Sequence, residues 1–166
     1  MSLLDIRFDS TLHPLAAVED MAATNDWSFE RSGDDEVTIL SRGHWTDYQI
    51  SFTWMDEIAA LHMACAFDMK IPEHRRAEVQ RLIAAINEQL WIGHFDLWSM
   101  NGLIMHRQAL VLPEGLQAST AQCESMLTNA LDTCERYFAA FQFVIWSGKS
   151  ASEAMDAAMF DTAGEA

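Results

Sequence analysis

The chain has 166 residues, half of them apolar, and 25 acidic side chains against 10 Lys and Arg give a net charge of −15. That length predicts one domain burying about 70% of its unfolded surface, and the negative field repels nucleic-acid phosphates and anionic lipid headgroups. No apolar run nears the ~20 residues that cross a bilayer, and the opening MSLLDIRFDS lacks a signal-peptide layout, so a cytoplasmic protein is expected.

Pro14 suits the first turn of a helix, and Leu15, Val18 and Ala22 recur at helical spacing, which predicts a helix over 13–24. Asn25-Asp26 stops it. Trp27–Ser32 and Glu36–Arg42 read as strands around a Ser-Gly-Asp-Asp turn. Thr46–Trp54 alternates strictly, with Tyr48, Ile50, Phe52 and Trp54 on one face and Asp47, Gln49, Ser51 and Thr53 on the other. A two-residue turn at Asp56-Glu57 would pair Phe52 with Leu61, Ile50 with Met63 and Tyr48 with Cys65. Asp-Glu is not a favoured primed-turn pair, however, which leaves room for a longer loop.

Pro72 opens a predicted helix of about twenty residues whose buried stripe is Val79, Leu82, Ile83, Ile86 and Leu90. Gly93 ends it. A hairpin follows, in which a two-residue Asn101-Gly102 turn would set Asp96 opposite Arg107 and Leu97 opposite His106. Ser119 with Gln122 forms a capping box for a long helix of about 28 residues. Its seam is Leu127, Leu131, Cys134, Phe138, Phe141 and Ile145, widened near the end by Phe143, Val144 and Trp146. Ser150 with Glu153 caps one more short helix carrying Met155, Met159 and Phe160, before an acidic tail expected to fray. The boundaries are thus one α+β domain over 1–148, then a short C-terminal helix and acidic tail over 149–166. The order α-ββββ-α-ββ-α, with hairpin links, indicates an antiparallel sheet with helices packed on it.

The order of elements, the Gly93-x-Phe95-x-Leu97 entry to the hairpin, the turn glycine Gly102 and Arg107 on the return strand resemble the YbjN family. Its members are described as bacterial sensory transduction regulators, with a fold like that of type III secretion chaperones. The resemblance runs from about residue 10 to 148 and implies no catalytic residues.

The residues themselves carry no catalytic spacing. HExxH, His-x-His, CxxC, GxGxxG, GxxxxGK[ST] and GxSxG are all missing. Asp34-Asp35 and Asp56-Glu57 read as turn chemistry. Cys65, Cys123 and Cys134 read as buried free thiols, although Cys123 lies near a helix start, where a nucleophile could be activated. Arg75, Arg76 and Arg81, interleaved with Glu73 and Glu78, read as a solvated helix face. His94 and Asp96 share one face of their hairpin while His106 takes the other, so a shared metal is not expected. His62 shares a face with Ala60, Ala64 and Ala66; it either hydrogen-bonds to Ser51 across the strand pair or belongs to a small-residue binding surface.

The reading that results is a non-enzymatic regulatory or chaperone-like module that binds protein. It is expected to be a homodimer with an unidentified protein partner, using no cofactor, metal, nucleic acid or membrane. Phe141, Val144, Trp146, Met155, Met159 and Phe160 are its candidate contact residues. The alternative is a small-ligand sensor or enzyme with a pocket between sheet and helices, built on His62 or on His94, Asp96 and His106.

Overall fold

A computed structural model of the chain describes residues 13–164, with side chains described as far as Phe160. The strands are β1 (Phe29–Ser32), β2 (Glu36–Arg42), β3 (Asp47–Met55), β4 (Ala60–Phe67), β5 (His94–Trp98) and β6 (Leu103–Val111). They form one six-stranded sheet in the order β1-β2-β3-β4-β6-β5, and every neighbouring pair is antiparallel. The helices are α1 (Pro14–Thr24), α2 (Arg76–Asn87), α3 (Thr120–Ile145) and α4 (Ala151–Gly164). The acidic tail expected to fray after α4 lies, at 165–166, outside the described residues.

Alternation decides which face of the sheet is dry. Tyr48, Ile50 and Phe52 on β3 and Leu61, Met63 and Cys65 on β4 are fully buried, while Gln49, Ser51, His62 and Ala64 between them are not. On that inner face α1 packs on β2 and β3, α3 on β4 and β6, and α2 on β5. Phe67 and Phe95 meet Phe141 of α3 with ring centroids 5.7 and 5.3 Å apart, within the range of favourable aromatic pairs.

The faces are as the sequence predicts, but both hairpin registers are displaced. Phe52 lies opposite Met63, Ile50 opposite Cys65 and Tyr48 opposite Phe67. A 3₁₀ turn over Asp56–Ile58 and a left-handed Ala59 lengthen the loop. A slide of two residues keeps each side chain on its face, because the pleat repeats every two. In the second hairpin His94 lies opposite Arg107, Phe95 opposite His106 and Asp96 opposite Met105. Here the turn takes in Ser99 and Met100 as well as Asn101-Gly102, and closes with Gly102 N–H donating to the Trp98 carbonyl at 2.8 Å.

The second helix is also shorter than its apolar stripe suggests. Pro72 opens a 3₁₀ turn at Glu73–Arg75, and α2 spans only the 12 residues Arg76–Asn87. Asn87 ends it by turning its side chain onto the backbone of Phe95. Leu90 is left outside the helix, packed against the core's edge.

The long helix α3 has 26 residues and starts on the Ser119–Gln122 capping box. At its other end Arg75 Nε donates to the Val144 carbonyl at 2.8 Å and Nη2 to the Lys149 carbonyl at 2.7 Å. A cation is favourable there, where carbonyls have no intrahelical partner. Arg76 donates to the Ser99 carbonyl and Arg81 to Glu78. Arg75 and Arg76 are therefore structural ties, not the solvated face expected of them. Glu78 accepts the Ala151 N–H at 2.8 Å, and the Ser150 hydroxyl caps Glu153. These bonds seat the first turn of α4, whose Ala151, Ala154 and Ala158 pack inward.

That packing corrects the candidate contact surface. Phe141 and Val144 are fully buried in the chain's own core and offer nothing to a partner. Met155 is half-buried against the same core. Trp146, Met159 and Phe160 remain exposed.

Candidate functional site

The pairing of β4 with β6, distant in sequence, assembles a polar group on the open face. Even-numbered residues of β4 and odd-numbered residues of β6 point outward, with His62 opposite Ala109 and Ala64 opposite Arg107. His94 of β5 lies on the far side of Arg107. Arg107 thus has an imidazole-bearing strand on each flank. Its Nε donates to His62 Nε2 at 3.1 Å, and its Nη1 pairs with Asp96 Oδ2 at 2.9 Å. His62 accordingly finds its partner on β6, not in Ser51 of β3, which sits opposite Ala64.

This bond fixes the state of His62. An imidazole nitrogen that accepts from a guanidinium carries no proton, so the ring is neutral and holds its hydrogen on Nδ1. Burial, the Arg107 charge and nearby His94 all lower its pKa. The pair with Asp96 is half exposed on both sides and contributes little to stability by itself. Its effect is to orient the guanidinium along the sheet surface.

Loop 88–93 walls the group on one side. A cleft of about 430 Å³ is lined by His62, Trp91, Gly93, His94, Arg107 and Ala109 among others. Trp91 is completely exposed and its neighbour Ile92 half exposed. The only sequence signal for the pair is two large apolar residues between a helix end and a glycine.

His106 belongs elsewhere, as its alternation requires. It is fully buried on the inner face, its ring edge-on to Phe95 at 5.3 Å. Neither ring nitrogen makes a well-formed hydrogen bond. Burial pushes its pKa down to about 4, with the Ile92 backbone opposing and His94 adding to the shift. His62, Asp96 and His94 therefore come together around Arg107, while His106 lies behind them. Among the described residues no three His, Cys, Asp or Glu side chains are grouped to hold a metal ion.

Two of the three buried thiols are held protonated. Cys123 is buried and its pKa is pushed up to about 11 by desolvation. Cys65 and Cys134 meet across the sheet–helix interface, Sγ to Sγ 3.9 Å, and that contact together with burial raises the Cys134 pKa well above its ordinary value. A thiol held protonated is unreactive at neutral pH. A second cleft of about 570 Å³ lies between the start of α1 and that of α3, and a third of about 440 Å³ on the open face of β1–β3. None of these three lies between sheet and helices, where a ligand sensor or enzyme of this architecture was expected to hold its pocket.

The family model described as "YbjN: Putative bacterial sensory transduction regulator" matches residues 14–143. No curated protein matches the chain. Its fold is similar to the crystal structure of YbjN from E. coli, at 10% identity and a TM-score of 0.53, over 73% of this chain and 85% of that one. It is also similar to the ExsC–ExsE complex, at 14% identity and a TM-score of 0.56, over 74% of this chain and 88% of that one. The α+β fold with an antiparallel sheet that the resemblance implied is thus the fold of this chain. Among the described residues no helix is long and apolar enough to cross a membrane.

Proposed function

Because the chain belongs to the YbjN family, we propose that it is a non-enzymatic regulatory module of the cytoplasm that acts by binding another protein, in the manner of a chaperone-like fold. The observation that carries this reading is the sheet itself. Among the described residues its helices occupy one face, and the other is left open beside two exposed aromatic residues, Trp91 and Trp98, near the start and at the end of the edge strand β5. Exposed apolar groups of this kind are what protein partners cover. The structural neighbour captured as an ExsC–ExsE complex supports it, since there the same fold is engaged with a second protein. A homodimer using Trp146, Met159 and Phe160 completes the assembly.

The test is affinity capture from lysate of the source cells, identification by mass spectrometry, and reconstitution of the captured protein with the purified chain. A complex of fixed stoichiometry is the expected result. Failure to reconstitute any captured protein, together with turnover of a small molecule by the purified chain, would sink the reading.

A further inference from the structure

Beyond Arg107, β6 runs on without its neighbour. β5 begins at His94, opposite Arg107, and Gly93, at φ +70°, turns Trp91 and Ile92 out of the sheet's line. β4 stays paired with β6 as far as Val111. Leu112 N–H donates to the Ala59 carbonyl at 2.8 Å, so even-numbered residues of β6 exchange backbone bonds with β4 and odd-numbered ones turn theirs away. Ala109 and Val111 therefore present two N–H and two carbonyl groups to a vacant strand position. Among the described residues nothing pairs with them there, and both are exposed.

The outer face beside this step is rich in unused donors. Arg107 employs Nε and Nη1, which leaves Nη2 without a hydrogen-bond partner among the described residues. The Nδ1–H of His62 is likewise unpaired, because only its Nε2 is engaged. Trp91 offers a wholly exposed indole at the mouth of the cleft. A ligand complementary to this set supplies acceptors and negative charge on the outer face, and backbone donors and acceptors along the edge.

We propose that the step where β6 outruns β5 is a docking slot for an extended peptide segment of a partner protein, which adds as a strand and places a carboxylate side chain against Arg107 and His62. This deepens, and rests on, the protein-binding reading above. The spacing follows from the pleat. A residue laid opposite Ala109 shares the outer face with Ala109 and His62, and diagonal neighbours on one face lie about 7–8 Å apart, within reach of a Glu side chain. Its two sequence neighbours point to the inner face, one beside Leu110, which packs against the core, and the other beside Gln108, whose amide donates to the Met126 carbonyl. The slot therefore reads acidic opposite Ala109 and apolar opposite Leu110, with main-chain bonds giving affinity and the carboxylate giving choice.

The test is a titration of the ¹⁵N-labelled full chain with the capped peptide acetyl-Thr-Val-Glu-Val-Thr-amide and with its Gln analogue. Amide shifts should centre on 107–111 and on the Trp91 indole, with the Gln analogue about ten-fold weaker, the loss of one charge-assisted bond. Arg107→Met should weaken the Glu peptide alone. Ala109→Pro, which removes an edge N–H at a position where proline is tolerated, should weaken both peptides. Equal affinity for the two peptides, shifts centred elsewhere, or no shift at millimolar peptide would overturn the slot. A captured partner protein that binds wild type and both folded variants equally would also overturn it, while leaving the protein-binding reading intact.

Discussion

Asn87 closes a two-bond ring with the backbone of Phe95: its Oδ1 accepts the Phe95 N–H at 2.8 Å and its Nδ2 donates to the Phe95 carbonyl at 3.1 Å. One side chain thereby stops α2 and starts β5, and Phe95 itself is a buried ring between Tyr137 and Phe141. Asn87→Leu removes both bonds and leaves a partly buried N–H and carbonyl unpaired. The expected loss is about 1–3 kcal/mol, read from urea unfolding. Stability equal to wild type would mean that water replaces the clamp without cost.

Gly93 is the second fixed point of that junction. It has φ +70°, and a Cβ there would stand 2.5 Å from His106 Cε1 and 2.8 Å from the Arg107 carbonyl oxygen. Gly93→Ala thus combines a left-handed conformation that L-residues disfavour with a collision against a buried ring. Destabilisation above about 2 kcal/mol is expected, with the cleft displaced. A Gly115→Ala control has the same sign of φ but nothing within 4 Å, so it should show only the conformational part. Equal losses in the two variants would refute the collision.

The buried His106 makes stability depend on acid. Its pKa falls from an ordinary 6.5 to about 4 on folding, so the unfolded chain binds the proton more tightly. The contribution is whole above pH 6.5 and is lost as pH falls toward 4, to a limit of about 3 kcal/mol. His62 shifts in the same direction. Comparing urea midpoints at pH 7 and pH 4.5 for wild type and His106→Leu isolates the term, because the surface carboxylates are common to both. The variant should lose less between the two pH values. Identical losses would show that His106 titrates normally.

What the sequence made legible was local. The period-two alternation of β3 and the Ser119–Gln122 and Ser150–Glu153 boxes each depend on residues a few positions apart, and each appears as read. Registers slid because a turn's length depends on backbone states its residues do not announce. Nothing in Asp56-Glu57-Ile58 demands a 3₁₀ turn or a left-handed Ala59. The Asn101-Gly102 pair serves instead as the closing half of a longer turn, with Asn101 Oδ1 taking the Leu103 N–H. The site was hidden for a different reason. His62 and Arg107 are 45 residues apart, and only the insertion of β6 between β4 and β5 brings them together. Phe141 and Val144 were misplaced because a wide apolar stripe does not say whether its own sheet or a second chain covers it.

The two faces of β3 should respond in opposite ways to charge. Phe52 is fully buried among the inner-face side chains, whereas Gln49 lies on the open face. Phe52→Asp replaces a ring in the core with an unpaired carboxylate and is expected to cost more than about 4 kcal/mol or prevent folding. Gln49→Asp should stay within about 0.5 kcal/mol. Thermal unfolding followed by circular dichroism separates them, and matching melting temperatures for Phe52→Asp and wild type would mean the faces are reversed.

Assembly is testable through the residues that stay exposed. Trp146 follows the last turn of α3 at 66% exposure, and Phe160 on α4 is 80% exposed. Large apolar side chains left this open at the chain's C-terminal side are the surface a second copy would cover, and a two-fold interface uses the same patch on both chains. Neither residue supports the core, so Trp146→Glu and Phe160→Glu should fold with unchanged circular dichroism. Light scattering at micromolar concentration should then give twice 18.7 kDa for wild type and a lower mass for at least one variant. A wild-type mass of one chain would refute dimerisation. A dimer that survives both substitutions would move the interface to the open sheet face, where Trp91 and Trp98 are the next exposed aromatic residues to exchange for Glu.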